Sequence, residues 1–188
     1  TRRSSDLIGA YGCGNKGDDA ILHSIVEAFS EKSEITATSG NVDDVSTLFG
    51  IDTIPLRMNE GASFSTLFSL IRDSFGILKA LLRSDALVYG GGSLIHDLTF
   101  YNLIFMFFWQ VIAIIFRKKV YYYAMGIGPI AKKTSKILCR FFLRRANFVF
   151  ARDQRGYDIC KQFDVENLIL TNDGAFAVTA TKLSEPCS

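Results

Sequence analysis

The chain has 188 residues, and its 21 Lys and Arg nearly balance 19 Asp and Glu, for a formal charge of +2. With 48% hydrophobic and 21% charged residues it carries enough apolar content to offset the entropy of ordering a core, which excludes a disordered chain, and its length suits one domain. The near balance of charge speaks against a protein held mainly to nucleic-acid phosphates.

In chain order, Asp6–Ala10 reads as a short strand entering a glycine loop, followed by helical periodicity over Ala20–Phe29. Ile35–Thr38 and Asp52–Leu56 are short strands on either side of a helix near Val42–Phe49. Phe64–Leu82 has the apolar stripe of an amphipathic helix, and Ala86–Tyr89 is an apolar strand ending in Gly90-Gly91-Gly92-Ser93. A strand at Val120–Ala124 runs into Gly126–Pro129. A helix follows over about 132–145, then a strand at Phe148–Ala151, a helix at Gln154–Phe163 and a strand at Leu168–Leu170.

From Leu98 to Phe116 nineteen residues pass without a charge, and Arg117, Lys118 and Lys119 follow. That length meets the bare requirement for a membrane span, with cations at one end. Asn102 and Gln110 interrupt the run, however, and it stands between two strand–loop units. A helix buried against a sheet is therefore expected, with membrane contact as the alternative. The first residues, TRRSSDLIGAYG, turn directly into a strand, so no signal peptide is expected. Cys13, Cys139, Cys160 and Cys187 form no C-x-x-C and keep no ligand spacing with His23 or His96. Neither a disulfide framework nor a metal site is expected, and a reducing cytoplasmic compartment follows.

Apolar strands alternating with helices imply a parallel sheet with helices on both faces, a Rossmann-like α/β fold. Residues 1–178 are expected to form this domain, and 179–188 to begin a linker. Three strands end in glycine turns, Gly12–Gly17, Gly90–Gly92 and Gly126–Gly128. Glycine admits positive φ and lets a ligand approach the backbone, and doubly wound sheets bind ligands beyond the carboxyl ends of their strands. If the first and fourth strands are neighbours, the first two turns share one crevice.

The first turn is a literal G-x-G-x-x-G, which by itself suggests a dinucleotide pyrophosphate at a helix N-terminus. Asp18 and Asp19 follow at once and place carboxylates where phosphate would sit, and Thr38-Ser39-Gly40 offers no acid for a ribose. Dinucleotide binding is therefore disfavoured. Asp18 is either an N-cap or a ligand residue, which leaves Asp19 to accept from a substrate hydroxyl.

Gly14-Asn15-Lys16-Gly17-Asp18-Asp19-Ala20-Ile21-Leu22 resembles the G-N-x-G-D-E-A-I-L signature of polysaccharide pyruvyl transferases. The resemblance continues through Gly90-Gly91-Gly92-Ser93-Leu94-Ile95-His96-Asp97, Gly126-Ile127-Gly128-Pro129 and Ala151-Arg152-Asp153. It ends at Asn172-Asp173-Gly174-Ala175-Phe176. Asp19 stands where Glu is usual, His96 where Gln is common, Gly156 where Ser is frequent and Gly174 where the family has Pro.

The resemblance implies the N-terminal half of a two-domain, GT-B-like enzyme. Such an enzyme moves the enolpyruvyl group of phosphoenolpyruvate onto two hydroxyls of one sugar, as a ketal, on a cell-surface or lipid-linked glycan. The donor is a substrate, and no separate cofactor is implied. Asp19, Asp97 and His96 are then the catalytic candidates. Gly14, Asn15, Gly17, Asp18, Gly91, Gly92, Ser93, Gly126, Gly128, Arg152 and Asp173 are candidates for binding. Structural alternatives stand beside these roles: Asp97 as a helix cap, His96 as a core residue and Arg152 as the ion-pair partner of Asp153.

Lys132, Lys133, Lys136, Arg140, Arg144 and Arg145 share a helix with apolar residues at 137, 138, 141 and 142. They form either a solvated face or a contact with anionic headgroups at the inner face of a membrane. Two other function classes remain: a nucleotide-sugar glycosyltransferase-like domain, and a non-catalytic binding or assembly module.

Overall fold

The computed structural model describes residues 3–12, 14–56, 64–92, 95–96 and 100–173. Seven strands alternate with six helices: β1 (Arg3–Tyr11), α1 (Lys16–Phe29), β2 (Ser33–Ser39), α2 (Val42–Phe49), β3 (Asp52–Pro55), α3 (Phe64–Arg83) and β4 (Ala86–Gly90). Then come α4 (Phe100–Ile115), β5 (Lys119–Met125), α5 (Lys133–Leu143), β6 (Phe148–Ala151), α6 (Gln154–Gln162) and β7 (Leu168–Leu170). All pairings are parallel, in the order β3-β2-β1-β4-β5-β6-β7. β1 and β4 are adjacent, so the chain reverses its direction of travel across the sheet between them. This is the switch point the glycine turns anticipate.

The sheet separates two cores. Ile21, Leu22, Ile25 and Val26 of α1 and Val45 of α2 pack with Tyr11, Ile35 and Ala37. The larger core joins Ile77 and Leu81 of α3, Leu103, Met106, Phe107 and Trp109 of α4, Cys139, Phe142 and Leu143 of α5 and Cys160 of α6. Crossovers of one hand place helices on opposite faces once the direction of travel reverses.

The uncharged run is the helix α4, buried on one side. Its Gln110 is fully buried and donates to the Phe142 carbonyl at 2.8 Å, while the Tyr122 hydroxyl donates to Gln110 Oε1 at 2.5 Å. A buried amide held at both ends ties α4 to α5 and β5 without leaving a polar group unpaired. No helix among the described residues is long and apolar enough to cross a membrane.

Two sequence expectations change. The first helix starts at Lys16 rather than Ala20, because Asn15 caps it, its Oδ1 accepting from the Gly17 N–H at 3.1 Å. The helix expected over about 132–145 runs from Lys133 to Leu143, and its buried residues are Ser135, Cys139, Phe142 and Leu143. Ile137 and Phe141 are exposed. The expected linker, 179–188, lies outside the described residues.

Candidate functional site

The β1–α1 loop is built from local hydrogen bonds. Gly12 takes φ +65°, and a Cβ there would lie 2.6 Å from Ser39 Oγ and 2.8 Å from Val45, so only glycine lets the loop pass so close to β2 and α2. Its N–H donates to Asp19 Oδ1 at 2.8 Å. Asn15, as the N-cap, donates through Nδ2 to Asp18 Oδ2 at 2.8 Å. The structure thereby settles one alternative: Asp18 is not the cap of α1, since Asn15 fills that position and Asp18 sits within the first turn. Asp19, expected to turn toward a substrate hydroxyl, commits one oxygen to fixing the loop.

Asp18 is 5% exposed. Its carboxylate accepts from the Gly92 N–H and lies against both glycines of the β4 turn. A Cβ on Gly91 would fall 3.2 Å from Asp18 Oδ1, and one on Gly92 at 2.9 Å. Both glycines have positive φ, +85° and +52°. The crevice between the first and fourth strands therefore closes around this single carboxyl. Burial raises its pKa above the ordinary 3.8, and the charge of Asp19 adds to the rise. The Asn15 and Gly92 hydrogen bonds and the charge of Arg152 oppose it. Burial is the largest cause, so the protonated form persists to higher pH than in an exposed aspartate.

Sequence reading did not single out Tyr11, the last residue of β1. It is fully buried, its hydroxyl is 2.7 Å from where a Gly90 Cβ would stand, and burial together with Asp18 and Asp19 raises its pKa strongly. A tyrosine directly before the glycine loop was the available signal.

The third glycine turn is fastened beside the second. Gly126 N–H donates to Gly92 O at 3.0 Å, Gly128 N–H to Ile95 O at 2.7 Å, and Ile95 bridges Ile127 in parallel. A Cβ on Gly128 would strike Ile159 at 2.7 Å, which explains the glycine at φ +100°. From β6, Arg152 lies 3.4 Å from Asp173 and 3.7 Å from Asp153. The expected pairing with Asp153 is present, and a second carboxylate joins it. Asp153 also caps α6, accepting from the Gly156 N–H at 2.7 Å. Gly156 is buried between Asp153 and Ile127, so the family's more frequent serine would have to fit a tight space.

Gly14, Asn15 and Gly17 form an exposed lip beside Asp18, and nothing lies within 4 Å of a Cβ built on Gly14. His96 is half-buried, with Nδ1 enclosed and unpartnered among the described residues. Ser93 and Asp97 lie outside the described residues. Among those described, no three His, Cys, Asp or Glu side chains group to hold a metal ion.

Sheet order, helices on both faces and glycine turns at the switch point define one lobe of a GT-B-like α/β enzyme fold. Solved structures bear this out. A UDP-N-acetylglucosamine 2-epimerase superposes with TM-score 0.59 at 15% identity over 99% of this chain and 53% of its own. Anabaena Alr3699/HepE, solved with UDP and glucose, gives 0.57 at 13% identity over 89% and 44%. The Rickettsia bellii UDP-N-acetylglucosamine 2-epimerase gives 0.58 at 8% over 92% and 45%. The chain spans about half the length of these structures. No curated protein sequence matches it.

The family model for polysaccharide pyruvyl transferase matches residues 15–188, nearly the whole chain. The chain belongs to the polysaccharide pyruvyl transferase family, a family of transferases.

Proposed function

We propose that this chain is the acceptor-side lobe of a cytoplasmic enzyme that transfers pyruvate from phosphoenolpyruvate, as a ketal, to a sugar of a cell-surface or lipid-linked glycan. A second lobe closes over the crevice and supplies most of the donor's cationic contacts. The observation that supports this reading is Asp18, a buried carboxyl with a raised pKa where the first and second glycine turns meet.

The chemistry needs such a group. One sugar hydroxyl adds to C2 of the enol phosphate as C3 takes a proton from Asp18 and becomes a methyl group, and the hydroxyl's own proton passes by way of Asp19 back to Asp18. The second hydroxyl then displaces phosphate, whose oxygen leaves with the second proton. Asp18 in its neutral form is the acid for C3, its pKa held above the ordinary carboxylate value by burial. Asp19, already oriented by the Gly12 N–H, and Asp97 hold the acceptor hydroxyls, with His96 as a proton carrier. Gly14, Asn15 and Gly17 form the lip over which the sugar enters, with Ser93, Gly126 and Gly128 as further binding residues. Arg152, steadied by Asp173, faces the anionic donor.

A nucleotide-sugar reaction is the second reading, favoured by the likeness to structures such as the HepE complex with UDP and glucose. Against it, Asp18 and Asp19 occupy the first turn of α1, where a diphosphate would otherwise meet the free N–H groups.

The test is to join the chain to its second lobe and supply phosphoenolpyruvate with candidate glycans. Phosphate release together with a new ketal methyl resonance is expected, and Asp18→Asn should lower kcat by about a hundredfold or more. Consumption of a nucleotide sugar with phosphoenolpyruvate untouched would replace this reading with the second.

A further inference from the structure

Helices that cover a sheet ordinarily turn polar side chains to water. α4 does not. Ile104, Phe108, Val111 and Ile115, spaced to lie on one side, face away from the core, with Phe108 53% and Ile115 65% exposed. The same is true of α5, which packs beside α4 through the stacked rings of Phe107 and Phe142. Its Ile137 and Phe141 point outward at 60% and 46% exposure. Two adjoining helices thus each turn apolar side chains outward, with Ile137 at a groove it shares with Ile159 and Phe163.

Cations border these side chains. Ten Lys and Arg and no carboxylate lie between Asp97 and Asp153. On α5, Lys133, Lys136 and Arg140 are exposed, as are Arg144 and Arg145 just beyond it. Arg145 lies 3.5 Å over the Phe141 ring, and Arg140 pairs with Asp164. Beyond the C-terminal end of α4 stand Arg117 and Lys119, both exposed, while Lys118 donates to the Leu82 and Ser84 carbonyls.

We infer that the outward face of α4 and α5 rests on an anionic lipid surface, with the helices lying in the plane of the interface. Apolar side chains enter the acyl boundary while the bordering cations meet phosphate headgroups. Charge excludes a second copy as the occupant. Two such faces brought together would oppose Lys136 and Arg144 with their own kind, and no carboxylate of α4 or α5 is there to answer them. The proposal is independent of the reaction, because binding is read without donor or acceptor.

The experiment is flotation of the 188-residue chain with phosphatidylcholine vesicles, with and without about 30% phosphatidylglycerol. Binding is expected only with the anionic lipid, and it should weaken as salt rises. Lys136→Glu with Arg144→Glu should weaken partition by about tenfold or more, and Phe108→Ser with Ile115→Ser comparably. Unchanged melting midpoints will show that both variants still fold. Absence of binding, equal binding to neutral vesicles, or variants that float like the parent would each overturn the proposal. So would a dimer in light scattering that Phe108→Ser dissolves, since the face would then belong to a second copy.

Discussion

α2 and α4 cover opposite faces of one sheet and meet their surroundings in opposite ways. α2 begins with Asp43 and Asp44, both exposed, and buries only Val45. α4 has no charged residue and buries Leu103, Met106, Phe107, Trp109, Gln110 and Ala113 while still exposing apolar side chains on its other side. The charge follows the same division. Residues 1–97 carry thirteen carboxylates and eight cations, and residues 98–188 carry six and thirteen. A net charge of +2 conceals an acidic half that holds the β1–α1 loop and a basic half that holds α4 and α5. Net charge limits the partners of a whole molecule, but its distribution decides which face meets which partner.

The sharpest way to break this comparison is through the buried amide of α4. Gln110→Ala would orphan the Phe142 carbonyl and the Tyr122 hydroxyl and leave a cavity. It should cost about 3 kcal/mol in a denaturant titration. A loss below about 1 kcal/mol would mean that α4 is not anchored as described.

Next is Gly92→Ala, which forces a side chain into positive φ and against Asp18 Oδ1. A loss of about 2 kcal/mol is expected, and with it transfer activity. Gly14→Ala has φ +82° but open space around it, so strain alone remains and about 1 kcal/mol should be lost. Equal costs for the two would remove the argument that Gly92 makes room for the carboxyl.

The smallest effect on stability is tied to pH. The folded-state pKa of Asp18 is raised above its unfolded value. Its contribution is therefore fully present below the ordinary carboxylate range and is lost as pH rises through the folded pKa. Asp18→Asn should melt progressively higher relative to the parent as pH rises across that window, while activity falls. Parallel melting curves at every pH would contradict the assignment.

Much of the architecture was legible because its signals are local. Val42–Phe49, Phe148–Ala151 and Leu168–Leu170 were read at their observed bounds, since turn residues and apolar runs mark them sharply. The start of α1 was not. Lys16 and Gly17 look like loop until Asn15 is seen to cap them, and a glycine in a first turn masks the helix. The inward face of α5 was not read for a different reason. Periodicity finds an apolar stripe, but where two apolar faces compete it does not say which one meets the sheet. Here Ser135 and Cys139 turn inward while Ile137 and Phe141 turn out.

The site was legible as a set of loops but not as roles. Asp18 and Asp19 are adjacent acids in the sequence. Only the β1–β4 neighbourhood shows that the first is enclosed by Gly91 and Gly92 while the second steadies Gly12. Tyr11 became part of the site through the same contact between strands.

The most direct measurement is a carbon-13 NMR titration of the Asp18 side-chain carboxyl in the folded chain, assigned by its loss in Asp18→Asn. The account predicts a midpoint clearly above the ordinary 3.8, moving further up when Arg152→Gln removes the opposing charge. A midpoint at or below 3.8 would contradict it, and would return Asp18 to the role of an ionised residue of the helix's first turn.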